Sequence, residues 1–407
     1  RTLFPYTTLF RSIPENMKST NLKPERKNAW EVGLDWRFFD SRIGVDLTYY
    51  KENTRNQIMT INVPWESGVK EKLINAGNIQ NSGIEIALNT TPIKKKQWQW
   101  DLNFTYTRNR NKIVELSPDV TSYINLDGAA NYGNYRIASV AKVGSDYGML
   151  MSDSWIKTDE KTGKPVVGYT NKFRTVYYKR GGTVKEVGSM LPNFLGSLNS
   201  TLRWKDLSLY VLFDARFGGY VASYNSRYAT AYGFSGETEK YRKGMTWTSK
   251  YANAQDKVFT DGFIPDVVFD AGTIVTTPGG TNQDVSGMTY QEAYEKGYVE
   301  PAHLQSAAYF KNSWGTGVIN DDWFKKINYI ALREITLSYN VPTKICSYIG
   351  AKNLSLSFTG RNLAYLLNTA PNHENPESVR GTGAAQFRMR SFMPYTASYL
   401  FTLNATF

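Results

Sequence analysis

From Trp98 to Tyr106 every second residue is aromatic or aliphatic (Trp98, Trp100, Leu102, Phe104, Tyr106), and the residues between them are polar. Successive strand side chains point to opposite faces, so this stretch specifies a strand with one apolar face and one wet face. The same alternation runs through Trp30, Val32, Leu34, Trp36 and Phe38, then Ile43, Val45, Leu47 and Tyr49, then Ile84, Ile86 and Leu88. It returns in Leu207, Leu209, Val211, Phe213, Ala215 and Phe217, in Leu354, Leu356 and Phe358, and in Tyr399, Phe401, Leu403, Ala405 and Phe407. Several runs reach about ten residues, enough for a tilted strand to cross a bilayer, whereas sandwich strands are usually near five or six. Aromatics gather toward strand ends (Trp30, Phe39, Tyr49, Tyr50, Trp98, Trp100, Tyr106, Trp204), as expected of girdles at two membrane interfaces.

The pattern predicts strands over residues 28–38, 42–62, 77–91, 97–115, 138–156, 165–178, 191–204, 207–221, 327–341, 351–362 and 395–407. Their connections alternate in length. Short ones fall at residues 39–42, 92–96, 158–164, 205–206 and 342–350, and the longest spans the region between Tyr220 and Trp323. Short periplasmic turns and long outer loops are the rhythm of an outer-membrane barrel. The predicted fold is therefore all-β, an antiparallel transmembrane β-barrel of about eleven strands. No stretch approaches the roughly 18 consecutive apolar residues of a membrane helix.

The net charge of +12 raises the possibility of a nucleic-acid partner, but basic residues are scattered and only Lys94, Lys95 and Lys96 cluster. No recognition-helix, zinc-finger or RNA-binding signature accompanies them, so the reading is no nucleic acid and a solvated turn. The single cysteine, Cys346, forms no internal disulfide and no cysteine metal site. His303 and His373 sit in loop sequence without a spaced carboxylate set, so no metal, no cofactor and no enzymatic activity are expected. Asp35, Asp46, Glu85 and Asp101 fall on the wet face, where a polar lumen needs them for hydration and salt bridges rather than for acid and base chemistry. Gly181-Gly182 and Gly279-Gly280 lack the strand-to-helix setting and following lysine of a phosphate loop.

Residues 21–50, NLKPERKNAWEVGLDWRFFDSRIGVDLTYY, resemble the LKPE…E.G stretch of TonB-dependent outer-membrane transporters, and specifically the SusC/RagA-type branch. WFKKINYIALREITLSYNVP (residues 323–342), LSLSFTGRNL (354–363), Asn375-Pro376-Glu377 and the closing PYTASYLFTLNATF are similar to the late part of that branch. The resemblance implies a plugged barrel of about 22 strands, of which these would be the C-terminal half, with the plug domain and TonB-contacting segment outside residues 13–407. It implies outer-membrane import of an oligosaccharide or peptide, energised through TonB, with a SusD-like surface lipoprotein as partner. The alternatives are a siderophore- or cobalamin-type receptor of the same class, and a soluble secreted glycan-binding protein or glycosidase. Residues 1–12, RTLFPYTTLFRS, stand apart: a common sequencing-library adapter encodes TLFPYTTLFRS in frame, so the segment is expected to be a non-native scar.

Two groups of residues are site candidates. The large outer loop, residues 220–323, carries Trp247, Tyr251, Phe263, Tyr290 and Tyr294, whose rings suit the apolar faces of sugars. The competing reading is that they pack the loop against itself. Tyr399, Phe401, Leu403 and Phe407 form an alternate apolar ending that resembles the assembly signal of outer-membrane barrels.

Overall fold

The computed structural model describes residues 16–17, 22–62, 69, 71–75, 77–118, 120, 122–126, 131–132, 135–153, 155–232, 234–236, 244–303, 319, 324–380, 387–390 and 394–407. The segment expected to be a scar, residues 1–12, lies outside them.

Nine long strands form a single antiparallel wall in chain order: β1 (Arg26–Phe38), β2 (Ile43–Arg55), β3 (Gly77–Lys94), β4 (Trp98–Leu116), β5 (Phe194–Trp204), β6 (Leu207–Ser223), β7 (Phe324–Asn340), β8 (Asn353–Asn368) and β9 (Ser398–Thr406). Two short strands, Val379–Arg380 and Arg388–Met389, complete an eleven-membered sheet by pairing beside the outer end of β6. Among the described residues β1 and β9 do not pair with each other, so the wall is an open arc, the partial barrel expected.

Register follows the alternation. Leu34 faces Leu47, Leu47 faces Ile86, Ile86 faces Tyr106, and Leu198 faces Phe104 on one side and Phe213 on the other. These apolar side chains lie on the outside of the arc: Trp30, Val32, Leu34, Trp36 and Phe401 are all exposed. Such a surface is tolerable only against hydrocarbon. A polar side chain on this face is covered by its neighbour, since the Trp100 indole donates to Ser200 Oγ at 2.9 Å.

The other face is polar and interlocked. Thr105 and Ser197 hydroxyls meet at 2.6 Å, Thr336 and Thr359 at 2.9 Å, and Asn111 donates to Asn81 at 2.7 Å. Three of the four predicted lumen carboxylates take ion pairs here. Asp35 and Asp46 share Arg37, and Asp101 accepts from Arg203 at 2.8 Å, with Thr91 and Gln99 closing its other sites. Arg37 fits because position 44 is glycine: a Cβ there would collide with its guanidinium.

Three sequence expectations are corrected. Residues 138–156 and 165–178 are not wall strands, because β4 pairs directly with β5 from Trp98↔Trp204 to Thr107↔Leu195. They form instead Tyr135–Lys142, Met149–Ser152, Val166–Thr170 and Thr175–Tyr178 in separate outer sheets, where Val140, Ala141, Leu150 and Val167 are buried against protein. The predicted strand 42–62 breaks at Asn56, which has φ 56°, and Ile58–Asn62 pairs with Glu71–Asn75 beyond the wall. Residues 158–164 are then the tip of an outer hairpin, with Thr158 bridging to Pro165, not a periplasmic turn. Losing two strands together preserves direction, so the four short connections, residues 39–42, 95–97, 205–206 and 341–352, all lie at one end of the arc. The long connections all lie at the other.

Candidate functional site

The outer connections do not hang as separate loops. Val166–Thr170 pairs antiparallel with Thr175–Tyr178 and, on its other edge, parallel with Val268–Phe269 from a segment about a hundred residues later. Around this joint Val167 and Val176 from the first connection bury against Val267, Phe269, Val275, Val285, Tyr290 and Val299 from the second. Asp270 is clamped from the first connection by Lys157 at 2.7 Å and Lys179 at 3.4 Å, and Asp266 by Lys164 at 2.7 Å. Burial pushes the Asp270 carboxyl up, but the two ammoniums outweigh it and hold it below the usual carboxylate range. Residues 155–180 and 244–303 thus share one hydrophobic core and make one outer body.

Within it, the helix Tyr290–Glu295 is started by a capping box: Thr289 Oγ1 accepts from the Glu292 amide, and the Glu292 carboxylate accepts from the Thr289 amide. That fixes Tyr290 inward, where it stacks on Phe269 with ring centroids 5.5 Å apart and donates its hydroxyl to the Glu300 carbonyl at 2.8 Å. Tyr294 sits one turn along at the edge of the core. Beside it opens a groove of about 700 Å³ whose lining includes Trp247, Lys250, Pro278, Tyr294, Glu300 and Pro301. The Glu300 carboxylate is held by the Lys250 amide at 2.5 Å, Ser249 Oγ at 2.8 Å and the Trp247 indole at 3.4 Å. Trp247 is backed by Phe259, stacked at 4.9 Å, and by His303, which bonds Asp261 at 3.2 Å. The result is a rigid indole next to a carboxylate in an open groove, an arrangement that gives an apolar ring face and directed hydrogen-bond acceptors together.

Of the five loop aromatics singled out in the sequence, the structure brings Trp247 and Tyr294 to this groove. Tyr290 and Tyr251 are buried, Tyr251 beneath the Arg174 guanidinium 3.7 Å above its ring, and Phe263 packs against the core. Glu300 and Lys250 were not legible beforehand, since a lone loop carboxylate or lysine carries no pattern.

A second cluster ties another outer connection to the wall. Residues 369–377 fold back over the lumen side of β7 and β8. There Arg333 grips Glu377 with Nη1 at 2.8 Å and Nη2 at 2.6 Å, and Asp214 of β6 with Nη2 at 2.8 Å. Tyr365 donates to Glu377 at 2.6 Å. Three residues earlier, the buried Glu374 accepts from Ser223, the N-cap of helix Tyr224–Ala231, at 3.2 Å. Burial pushes the Glu374 carboxyl up, because its partners there are neutral donors. Asn375-Pro376-Glu377 was noted in the sequence; Arg333 and Asp214 were not, because their pairing spans 119 residues. At the far end of the wall Tyr399, Phe401, Leu403 and Phe407 all lie exposed on β9 or just beyond it, with Phe401 opposite Phe358 and Leu403 opposite Leu356.

The family model for "TonB dependent receptor-like, beta-barrel" matches residues 3–220, more than half of the chain. The chain belongs to the TonB-dependent receptor family. Its wall is accordingly an outer-membrane wall, and the family is one of receptors and transporters, not enzymes. Among curated relatives, TonB-dependent receptor P26 of Formosa agariphila is 23% identical over 350 residues, covering 84% of this chain and 30% of that protein. TonB-dependent receptor SusC of Bacteroides thetaiotaomicron is 28% identical over 149 residues, covering 36% of this chain and 15% of SusC. The solved structure of the RagAB peptide transporter superposes with a TM-score of 0.58 at 14% identity, covering 94% of this chain and 35% of that one. That likeness shows the fold. This receptor chain spans about a third or less of the length of the relatives it matches.

Proposed function

We propose that this chain is the wall and outer loops of an active importer that takes an oligosaccharide or a peptide from outside the cell, energised through TonB and covered by a SusD-like surface lipoprotein. The observation that carries the reading is the outer body itself: two long outer connections spend their apolar residues on a shared core and leave Trp247, Tyr294 and Glu300 around an open groove. The large outer insert and the late-strand resemblance favour this class over a siderophore or cobalamin receptor. Support for the ligand class comes from the SusC and RagAB relatives, the latter described as a peptide transporter.

The test uses the full-length receptor with its neighbouring lipoprotein, titrated calorimetrically with a panel of oligosaccharides and with a tryptic peptide digest. Trp247→Ala with Tyr294→Ala is expected to weaken the bound class about tenfold or more, since one aromatic contact is worth about 1 kcal/mol beyond its area. Unchanged affinity in that variant removes the groove from the reading. Uptake of an iron chelate or cobalamin, and of neither oligosaccharide nor peptide, removes the ligand class. Uptake that persists in cells lacking TonB removes the energy source.

A further inference from the structure

Most basic residues are scattered, but one end of the wall, away from the groove, carries a clear excess of them. The four short connections lie together at the turn end of the wall, which faces the periplasm. With Lys94 at the end of β3, they carry Arg42, Lys95, Lys96, Lys205, Lys344 and Lys352 against only Asp40 and Asp206. Arg42 is committed to the carbonyls of Thr91 at 3.2 Å and Pro92 at 2.9 Å, and Lys352 to the Phe407 carbonyl at 2.9 Å. Lys94, Lys95, Lys96, Lys205 and Lys344 are exposed and, among the described residues, make no ion pair. A turn built only for solubility has no need of four like charges in adjoining hairpins, where each repels the next.

What surrounds these lysines says what neutralises them. Trp98 and Trp204 stack at 5.6 Å directly above the two hairpin tips, both indoles about two-fifths exposed on the lipid side, and Lys205 lies 5.3 Å from the Trp204 ring. Trp36 and Phe39 continue the belt on the neighbouring hairpin, both more than half exposed. The connection 341–352 adds a short helix, Thr343–Tyr348, that leaves Ile345, Tyr348 and Ile349 exposed, Tyr348 by 89%. Indoles at this depth mark the glycerol level of a bilayer, and a lysine stem of four methylenes reaches from there to the phosphates. The apolar band, the aromatic belt and the cationic tips are therefore stacked in the order of a phospholipid leaflet.

We propose that the turn end of the wall is a docking surface for anionic phospholipid of the periplasmic leaflet, with Lys94, Lys95, Lys96 and Lys205 binding headgroup phosphates and Trp98 and Trp204 seating the glycerol backbone. It selects lipids with a net negative headgroup over zwitterionic ones, and it holds the wall at a fixed depth. The same charges repel a cationic partner at this end.

The experiment takes the full-length receptor in mild detergent and counts retained lipid by native mass spectrometry after titration with phosphatidylglycerol or with phosphatidylcholine of the same chains. The parent is expected to retain phosphatidylglycerol at least fivefold better, the effect of a single lysine near a charged surface. In Lys94→Gln, Lys95→Gln, Lys96→Gln, Lys205→Gln combined, that preference falls to within twofold, as it does for the parent in 0.5 M salt. The combined Lys→Arg variant keeps it, and heat-modifiable migration reports that each barrel is folded. Equal retention of the two lipids by the parent overturns the proposal. So does a preference that survives in the glutamine variant, which would place the anionic site on the outer rim.

Discussion

Truncating Phe269 to alanine tests whether the two outer connections form one body. Phe269 is 1% exposed, stacks on Tyr290 and meets Tyr169 edge-on at 6.3 Å, so its ring bridges both connections. Removing a fully buried phenylalanine costs about 3–5 kcal/mol, from lost burial and from the cavity left behind. At tenfold per 1.4 kcal/mol, the population of the opened body rises by roughly two to three and a half orders of magnitude. Hydrogen exchange of the full-length receptor in detergent reads this directly. The Lys179 amide, bonded to Val166 O at 2.9 Å, and the Asp270 amide, bonded to Val167 O at 2.8 Å, belong to different connections. Both are expected to exchange faster by comparable factors, while the amides of β1–β9 keep their parent rates. Acceleration confined to residues 268–290, with 166–178 unchanged, would refute the shared core: each connection would then be stable by itself.

Asp270→Asn removes a carboxylate held low by Lys157 and Lys179. Its stabilisation, about 1 kcal/mol for two part-exposed pairs, is fully present at neutral pH and lost as pH falls through the lowered value. Exchange protection of 166–178 should therefore decline on acidification in the parent and be low and flatter in the variant. Glu374 has the opposite sign: burial pushes its carboxyl up, so local stability is lost as pH rises from the ordinary carboxylate range through the raised value, because Ser223 and Asn225 do not make up for the buried charge. Glu374→Gln keeps an acceptor for Ser223 without the buried charge, and exchange in residues 224–231 should become independent of pH over that window. Phe407→Ser, in the full-length protein, is expected to lower the yield of heat-modifiable barrel in the membrane if the alternate apolar ending is read during assembly. An unchanged yield leaves β9 as lipid-facing wall alone.

The wall was legible because the membrane leaves little freedom. A strand with hydrocarbon on one side and a wet lumen on the other must alternate, as Trp98 to Tyr106 and Leu207 to Phe217 do over runs long enough to cross a bilayer. Residues 138–156 and 165–178 were read as wall for the same reason. Val140, Leu150 and Val167 look like lipid-facing residues in one dimension, yet each is buried against protein. Their interruptions were real signals: Gly144 and Gly148 have φ of 88° and 84°, which end strands rather than bend them. The candidate site was legible only as composition. Trp247 and Tyr290 are alike as loop aromatics, and what separates a groove-lining ring from a core ring is the capping box at Thr289 and the stacking of Phe269, both settled by packing.

By itself, then, the amino-acid sequence determined the strand period, the apolar outer face, the direction of the wall and the family. The tertiary structure alone decided which apolar segments meet lipid and which meet protein, and that Arg333 holds Glu377 while Asp270 joins two distant connections. The division has one cause. Burial against hydrocarbon and burial against protein select the same apolar side chains, and an ion pair needs only one charged residue from each of two distant segments, so neither leaves a local pattern until long-range pairing brings the partners together.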